Sequence, residues 1–162
     1  MLRTLAEIPL FRELGRGELW EVARTLEVST YAIGDTVFKQ GEAGRGMYVV
    51  LSGGVDIVQV DEEDGSRQQL SRSEAGGFFG ETALLDDAPR SASAVVFDES
   101  EFALFSRYAL LNLAEQRPHL GVKIAMQLSQ IIAERLRRTN RGLRTARDKV
   151  EAIQKEKEGR AE

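Results

Sequence analysis

Hydrophobic positions change their spacing twice along this chain of 162 residues. Near the N-terminus apolar side chains such as Leu19 and Val22 recur every three or four positions, which predicts short helices. From about Glu27 to Ser106 the spacing falls towards two, and glycine-rich turns interrupt the pattern. A run of short strands with such turns is typical of a sandwich or a roll. From Arg107 onward the helical spacing returns.

The strand-like region divides into seven predicted strands. Their bounds follow from alternating apolar and polar positions between turns and are Val28–Ala32, Thr36–Gln40, Met47–Leu51, Val55–Val60, Arg67–Leu70, Ala92–Phe97 and Glu101–Phe105. No helices alternate with these strands, so a parallel nucleotide-binding sheet is disfavoured. One segment interrupts the region, because GETALLD (Gly80–Asp86) is helix-prone although it lies between two strands.

Two helices are predicted after the strands. The first, around Tyr108 to Leu113, ends before Pro118 because the residue that precedes a proline avoids the α region. Pro118 itself can open the second helix at its first turn, and no strong breaker follows before about Glu158. The sequence therefore predicts residues 1–117 as a β-domain with flanking helices, residues 118–158 as a long C-terminal helix, and residues 159–162 as a disordered tail.

The long helix carries two apolar stripes. The first follows alternating steps of three and four residues, which is the heptad pattern of a coiled-coil seam, and it consists of Val122, Ala125, Ser129, Ile132, Leu136, Thr139, Leu143, Ala146, Val150 and Ile153. The second stripe (Ile124, Leu128 and Ile131) covers an adjacent face in the first half only. Because a lone helix would leave the seam in water, the pattern predicts a parallel homodimer, with the second stripe packed on the helix's own domain.

Composition limits the chemistry that the chain can perform. With no cysteine there is no disulfide, thiolate zinc site or iron–sulfur cluster, and the single histidine, His119, leaves few options for a metal centre. No apolar run approaches the roughly 20 residues that span a bilayer, and the N-terminus lacks a signal-peptide pattern. We therefore expect a cytoplasmic protein with no metal and no membrane contact. The net charge is −4, but residues 133–162 carry ten Lys/Arg against six Asp/Glu.

The stretch FGETALLDDAPRSASA, from Phe79 to Ala94, places Glu81 and Arg90 among small and apolar residues. A short helix entered from Gly80 offers backbone N–H groups to an anion, and Arg90, which follows Pro89, can bind two anionic oxygens as a fork. Glu81 can only accept hydrogen bonds, which suits a ligand hydroxyl. A ribose phosphate carries both groups. The alternative is a structural Glu81–Arg90 ion pair, although a buried pair adds little net stability.

The same stretch resembles the phosphate-binding cassette of cyclic nucleotide-binding domains, the family of the bacterial catabolite activator protein and the regulatory subunit of protein kinase A. Tyr31–Val58 is similar to the glycine-punctuated first half of these domains, and the likeness extends from about Ile8 to Asn140. It implies an α+β, mainly β fold. This fold is an eight-stranded antiparallel β-roll, or jelly roll, with N-terminal helices and a long C-terminal helix.

The resemblance also implies roles for nine residues. Glu81 would accept from the ribose 2′-hydroxyl, and Arg90 would pair with the cyclic phosphate. Backbone N–H groups of Gly80, Ala83 and Ser91 would complete the phosphate site, with Thr82 and Ala92 beside them. The base contacts across the dimer would come from Thr139 and Asn140, in the segment RLRRTN of the long helix. With these two as base contacts, we expect cAMP as the ligand in preference to cGMP.

Two other functions stay open at the level of sequence. The chain could be the ligand-binding fragment of a transcription regulator, or a coiled-coil interaction module whose pocket is vestigial. An enzyme is not expected, because no nucleophile or orienting group accompanies Glu81 and the nearby aspartates. Direct DNA binding is not expected either, since only about 20 residues follow Asn140, too few for a helix-turn-helix. The predicted function is a cyclic nucleotide sensor that signals by conformational change to an unknown protein partner.

Overall fold

Helices form where the apolar spacing predicts them, at both ends of the chain. The structure, a computed structural model, describes residues 1–61 and 63–158, with side chains up to residue 149. Within this part the helices are α1 (Leu2–Glu7), α2 (Arg16–Ala23), α3 (Arg107–Gln116) and α4 (Pro118–Glu158), with 3₁₀ helices at Pro9–Phe11 and Glu81–Leu84. The tail predicted at residues 159–162 and the side chains of the seam residues Val150 and Ile153 lie outside the described residues.

Six strands lie between these helices in the part of the chain that the structure describes. They are β1 (Glu27–Tyr31), β2 (Thr36–Phe38), β3 (Gly46–Val60), β4 (Arg67–Glu74), β5 (Phe78–Phe79) and β6 (Ser93–Ser106). All pairings are antiparallel, in the order β1-β6-β3-β4, with β2 on β6 and β5 on β3. Register shifts between Val50 and Val55 divide the β3–β6 pairing into two halves. The predicted antiparallel β-roll is confirmed, and the six strands fit the predicted eight roughly, because β3 and β6 are long enough to pair in two halves.

Three local features differ from the sequence prediction. The turn predicted at residues 52–54 is part of β3, because Gly53 adopts a φ of 70° and lets the strand bend without ending. β6 is also continuous, so the two strands predicted at Ala92–Phe97 and Glu101–Phe105 are one strand. The helix predicted at Gly80–Asp86 is the shorter 3₁₀ helix Glu81–Leu84. β5 is not predicted, since two residues are too few to display a period.

Two apolar clusters form the core of the domain. One lies among the strands and consists of Phe38, Val50, Val55, Phe79, Ala94, Val96 and Phe102. The other joins the N-terminal helices, α3 and α4 to the strand residues Met47 and Phe105, both fully buried. Ile124 and Leu128 of α4 are fully buried in this second cluster. The second apolar stripe therefore packs on the helix's own domain, as the sequence predicts.

The beginning of α4 is held closely by its neighbours. A Cβ at Gly121 would stand 2.5 Å from the Cβ of Ala114, so α3 and α4 approach each other at this glycine. Lys123 donates to both carboxylate oxygens of Glu18 in α2 at 2.9 Å. The hydrogen bond from Lys123 lowers the pKa of Glu18 below its ordinary value, because it stabilises the charged carboxylate.

The second half of α4 leaves its coiled-coil seam uncovered. Leu136 and Leu143 are 59% and 64% exposed in the single chain. The structure contains one chain, so the predicted homodimer stays a prediction. Of the helices in the described ranges, none combines the length and the apolar character that crossing a bilayer requires.

We predict that Gly53→Ala lowers the free energy of unfolding by about 2 to 4 kcal/mol, because it adds backbone strain to an overpacked site. The new Cβ would stand 2.2 Å from the carbonyl oxygen of Glu99 and 2.3 Å from Oγ of Ser100. Urea denaturation at one fixed protein concentration measures the change. The control is Gly17→Ala, since this helical glycine has nothing within 4 Å of its added Cβ. Similar small changes in both variants would contradict the prediction.

Candidate ligand-binding site

A cavity of about 570 Å³ opens between the cassette, β4 and α4. Its other walls include Ile57, Leu70 and Ser73 of the sheet and Arg138 of α4. Seven of the nine residues that the sequence predicts as ligand contacts line this cavity: Gly80, Glu81, Thr82, Arg90, Ser91, Ala92 and Thr139. The fold therefore brings the cassette and the long helix to one site, although the two are far apart in the sequence.

The Arg90 side chain is held in one orientation inside the cavity wall. Nη1 donates to the carbonyl oxygen of Gly80 at 2.9 Å, and Nη2 donates to that of Gly46 at 2.7 Å. The guanidinium carbon stands 3.9 Å from the centroid of the Phe38 ring, which is a cation–π distance. The residue is only 7% exposed. Its planar fork is therefore preorganised rather than free to turn.

Gly80 makes room for Arg90, because a Cβ there would stand 2.6 Å from Nη1. A Cβ at Gly44 would be in ordinary contact with the guanidinium carbon, at 3.4 Å, but would stand 2.5 Å from the Cβ of Ala83 in the cassette. The backbone of Arg90 is held as well, because its N–H donates to Glu42 and its carbonyl accepts from Gly41, both at 2.8 Å. The loop between β2 and β3 thus fixes the arginine from one side and the cassette from the other.

Arg90 is a buried cation without an acidic partner. Within the described ranges no carboxylate lies at ion-pair distance from it, and its Nε is buried with no hydrogen-bond acceptor. Burial lowers the pKa of the guanidinium below its ordinary value, because desolvation disfavours the charged form. An unpaired buried charge is costly. The arrangement is therefore suited to an anion that enters the cavity.

Glu81 pairs with a residue of the long helix. Its side chain is 5% exposed, and Oε1 accepts a charge-assisted hydrogen bond from Nη1 of Arg135. The guanidinium carbon of Arg135 also lies 5.1 Å from the centroid of the Phe78 ring. The structural Glu81–Arg90 ion pair, left open by the sequence, is not formed, so this alternative is wrong.

Arg135 is a cavity residue that the sequence prediction did not assign to the site. It lies in the segment RLRRTN, of which the prediction used only Thr139 and Asn140. The second stripe could have indicated it, because an alternating step from Leu128 through Ile131 arrives at Arg135. The prediction considered apolar residues alone and ended the stripe one position too early.

Two predicted ligand contacts do not line the cavity. Ala83 is buried, and its N–H donates to the carbonyl oxygen of Gly80 at 3.3 Å. Asn140 is exposed on α4, and its predicted contact crosses a dimer. Both roles stay predictions. Among the residues described, no group of three or more His, Asp or Glu side chains is placed to hold a metal ion.

A β-roll with this cassette, a buried arginine and a long helix across the cavity defines a ligand-binding domain for a small anion. The profile of the cyclic nucleotide-binding domain matches residues 28–117, more than half of the chain. The chain belongs to the cyclic nucleotide-binding domain family.

Several of its relatives are regulatory proteins. The cAMP-dependent protein kinase regulatory subunit of Mucor circinelloides f. lusitanicus is 36% identical over 109 residues, which are 67% of this chain and 25% of the relative. The CRP-like cAMP-activated global transcriptional regulator of Mycobacterium tuberculosis is 32% identical over 139 residues, 86% of this chain and 60% of the relative. The crystal structure of Thermus thermophilus catabolite activator protein has a TM-score of 0.76 and 32% identity, over 83% of this chain and 61% of that one. The chain thus spans between a quarter and three fifths of these relatives.

We predict an energetic coupling of about 1 kcal/mol between Glu81 and Arg135 in the absence of ligand. Removing either partner leaves the other with an unmatched charge, whereas removing both does not. The measurement is a double-mutant cycle of Glu81→Gln and Arg135→Met by urea denaturation. The control cycle uses Arg3 and Glu7, which are 3.9 Å apart and 96% and 66% exposed, and its coupling should stay below about 0.5 kcal/mol. Additive effects of Glu81→Gln and Arg135→Met would contradict the prediction.

Proposed function

We propose that this protein is a cyclic nucleotide sensor that binds cAMP in preference to cGMP, dimerises through α4 and signals to a protein partner by a change of conformation. One observation carries the proposal: Arg90 is a buried guanidinium with an unsatisfied Nε, inside the cassette of a cyclic nucleotide-binding domain. The lack of cysteine suits the reducing cytoplasm, where we place the sensor.

Arg90 has donors left for the phosphate. A guanidinium carries five N–H donors, and the carbonyl oxygens of Gly80 and Gly46 use two of them. Three N–H groups remain, and because Nε is buried, we expect those of the two terminal nitrogens to meet the two exocyclic oxygens of a cyclic phosphate. Such charge-assisted hydrogen bonds are shorter than neutral ones and roughly twice as strong, and the fork adds geometric specificity. The backbone at Gly80 and Ser91 adjoins the same position.

Glu81 can bind the sugar without leaving Arg135. A carboxylate offers about four acceptor positions, and Arg135 engages one oxygen, Oε1. The ribose 2′-hydroxyl can therefore donate to Glu81 while the ion pair persists. In this arrangement the glutamate links the ligand to α4.

The heptad seam supports a base contact from a second copy of the chain. In a parallel coiled coil built on this seam, Arg135 takes position g and Asn140 takes position e of the next heptad. These two positions face each other across a parallel dimer. Because Arg135 lines the cavity, the partner's Asn140 would stand at its mouth, beside Thr139 of the first chain. The amide group can both donate to and accept from an adenine edge.

A second function keeps some support. The similarity to the Mycobacterium tuberculosis transcriptional regulator extends over 86% of this chain but over only 60% of that protein. The same ligand-binding unit would then act as part of a longer regulator, and its partner would be another domain of that protein. The binding chemistry is the same in both cases, so the experiment on the ligand comes first.

We predict that the protein binds cAMP and that Arg90→Leu weakens the affinity by roughly 100-fold or more, because the charge-assisted hydrogen bonds to the phosphate are lost. Isothermal titration calorimetry with cAMP and cGMP measures the affinities. Ligand-free Arg90→Leu should be as stable as the unchanged chain or more stable, since an unpaired buried charge is removed.

The matched control for this titration is Arg45→Leu. Arg45 is 70% exposed and pairs with Glu27 at 3.5 Å, outside the cavity, so its loss should leave cAMP affinity unchanged. A chain that binds neither nucleotide, or an Arg90→Leu variant that binds cAMP normally, contradicts the proposed function.

We also predict a homodimer that Leu136→Glu weakens, because the substitution places a charge in the seam of both helices. Leu136 is exposed in the single chain, so the variant should retain its own fold. The measurement is multi-angle light scattering over a concentration series. Arg137→Glu, which changes the adjacent residue outside the seam, should leave the dimer intact. A monomeric unchanged chain throughout the series contradicts the prediction.

A further inference from the structure

The face that α4 turns to its own domain changes character where it passes the cavity. Steps of four and three residues lead along one flank from Ile124 through Leu128 and Ile131 to Arg135 and Arg138. The first two are fully buried in the helical core, whereas the two arginines line the cavity. The same flank is thus apolar over the core and cationic over the ligand site.

The charges around the cavity are matched except at two arginines. Four arginines line it, with Glu81 as the acidic residue among the lining. Arg72 is neutralised by Asp56 through hydrogen bonds of 2.7 and 2.8 Å, and Arg135 by Glu81. Arg90 is suited to the phosphate. Arg138 has no hydrogen bond or ion pair with any residue that the structure describes.

We propose that Arg138 is a specificity-determining residue that contacts the purine base and favours guanine. It would thereby reduce the ratio by which the protein binds cAMP more tightly than cGMP. This inference rests on the proposed function. A cyclic mononucleotide has one negative charge, which Arg90 meets, so Arg138 faces the uncharged part of the ligand. Arg138 lies three residues beyond Arg135, about 4.5 Å farther along the helix. Arg138 thus lies at the same height along α4 as Thr139, the expected base contact.

The chemistry of the two purines decides the sign of the preference. Guanine presents two adjacent acceptors, O6 and N7, which match the two donors of an arginine fork. Adenine presents N7 next to an N6 amino group, which is a donor and repels a second N–H. A guanidinium at this position can therefore bind guanine with two hydrogen bonds and adenine with one. Thr139 and the partner's Asn140 act in the opposite direction, and the balance between these contacts sets selectivity.

The experiment is calorimetric titration of the unchanged chain, Arg138→Leu and Arg138→Lys with cAMP, cGMP and cyclic inosine monophosphate. Arg138→Leu should weaken the affinity for cGMP roughly tenfold more than the affinity for cAMP. Cyclic inosine monophosphate keeps O6 and N7 but lacks the 2-amino group, so its affinity should fall with that of cGMP. Arg138→Lys keeps the charge and loses the fork. This variant should retain most of the affinity for cAMP, and its affinity for cGMP should fall as much as that of Arg138→Leu.

Arg137→Leu is the matched control, because this neighbouring arginine is exposed, as Arg138 is, but lies outside the cavity lining. It should leave all three affinities unchanged. Equal losses for cAMP and cGMP in Arg138→Leu, or none, would overturn the inference while leaving the proposed function intact. A loss for cGMP that cyclic inosine monophosphate does not share would also overturn it, since the 2-amino group would then be the contact. An unchanged chain that binds no nucleotide would refute the proposed function itself.

Discussion

The buried guanidinium of Arg90 is the constraint on which the rest of the site depends. Desolvation disfavours its charge, and two carbonyl oxygens together with the Phe38 ring offset only part of that cost. Keeping it there requires room at Gly80, where an added Cβ would stand 2.6 Å from Nη1 of the arginine. An unpaired buried charge costs free energy instead of adding to stability. A stability argument alone therefore does not explain this arginine, whereas an anionic ligand does.

The long helix gives the cavity its connection to the rest of the molecule. One flank of α4 packs on the helical core through Ile124 and Leu128 and then reaches the cassette through the Glu81–Arg135 pair. The seam lies on the adjacent face and stays exposed in one chain. Because both faces belong to one rigid element, a ligand that changes the position of the helix also changes what the seam presents. The ligand shifts the equilibrium only by the difference in its affinity for the two positions.

Much of this arrangement could be predicted from the sequence, because it depends on local patterns. The cassette predicts that Glu81 and Arg90 belong to one site, and the second apolar stripe of α4, beside the heptad seam, predicts the face that packs on the domain. Contacts that join distant segments could not be predicted in this way. The Glu81–Arg135 pair depends on the angle at which α4 crosses the cassette, which no local pattern specifies. Likewise, the strands predicted on either side of residues 52–54 are one strand, because Gly53 makes a bend that resembles a turn in sequence.

The Glu81–Arg135 pair bears on the direction in which a ligand would move α4. If the sugar hydroxyl needed the position that Arg135 occupies, ligand and helix would compete, and binding would release α4 from the cassette. Arg135 bonds only one carboxylate oxygen, and a carboxylate has about four acceptor positions, so no such competition is required. A phosphate on Arg90 and a base beside Arg138 and Thr139 would instead add contacts on both sides of the cavity. If the proposed ligand binds in this way, it would hold the part of α4 that lines the cavity against the β-roll, as in the arrangement that the structure has.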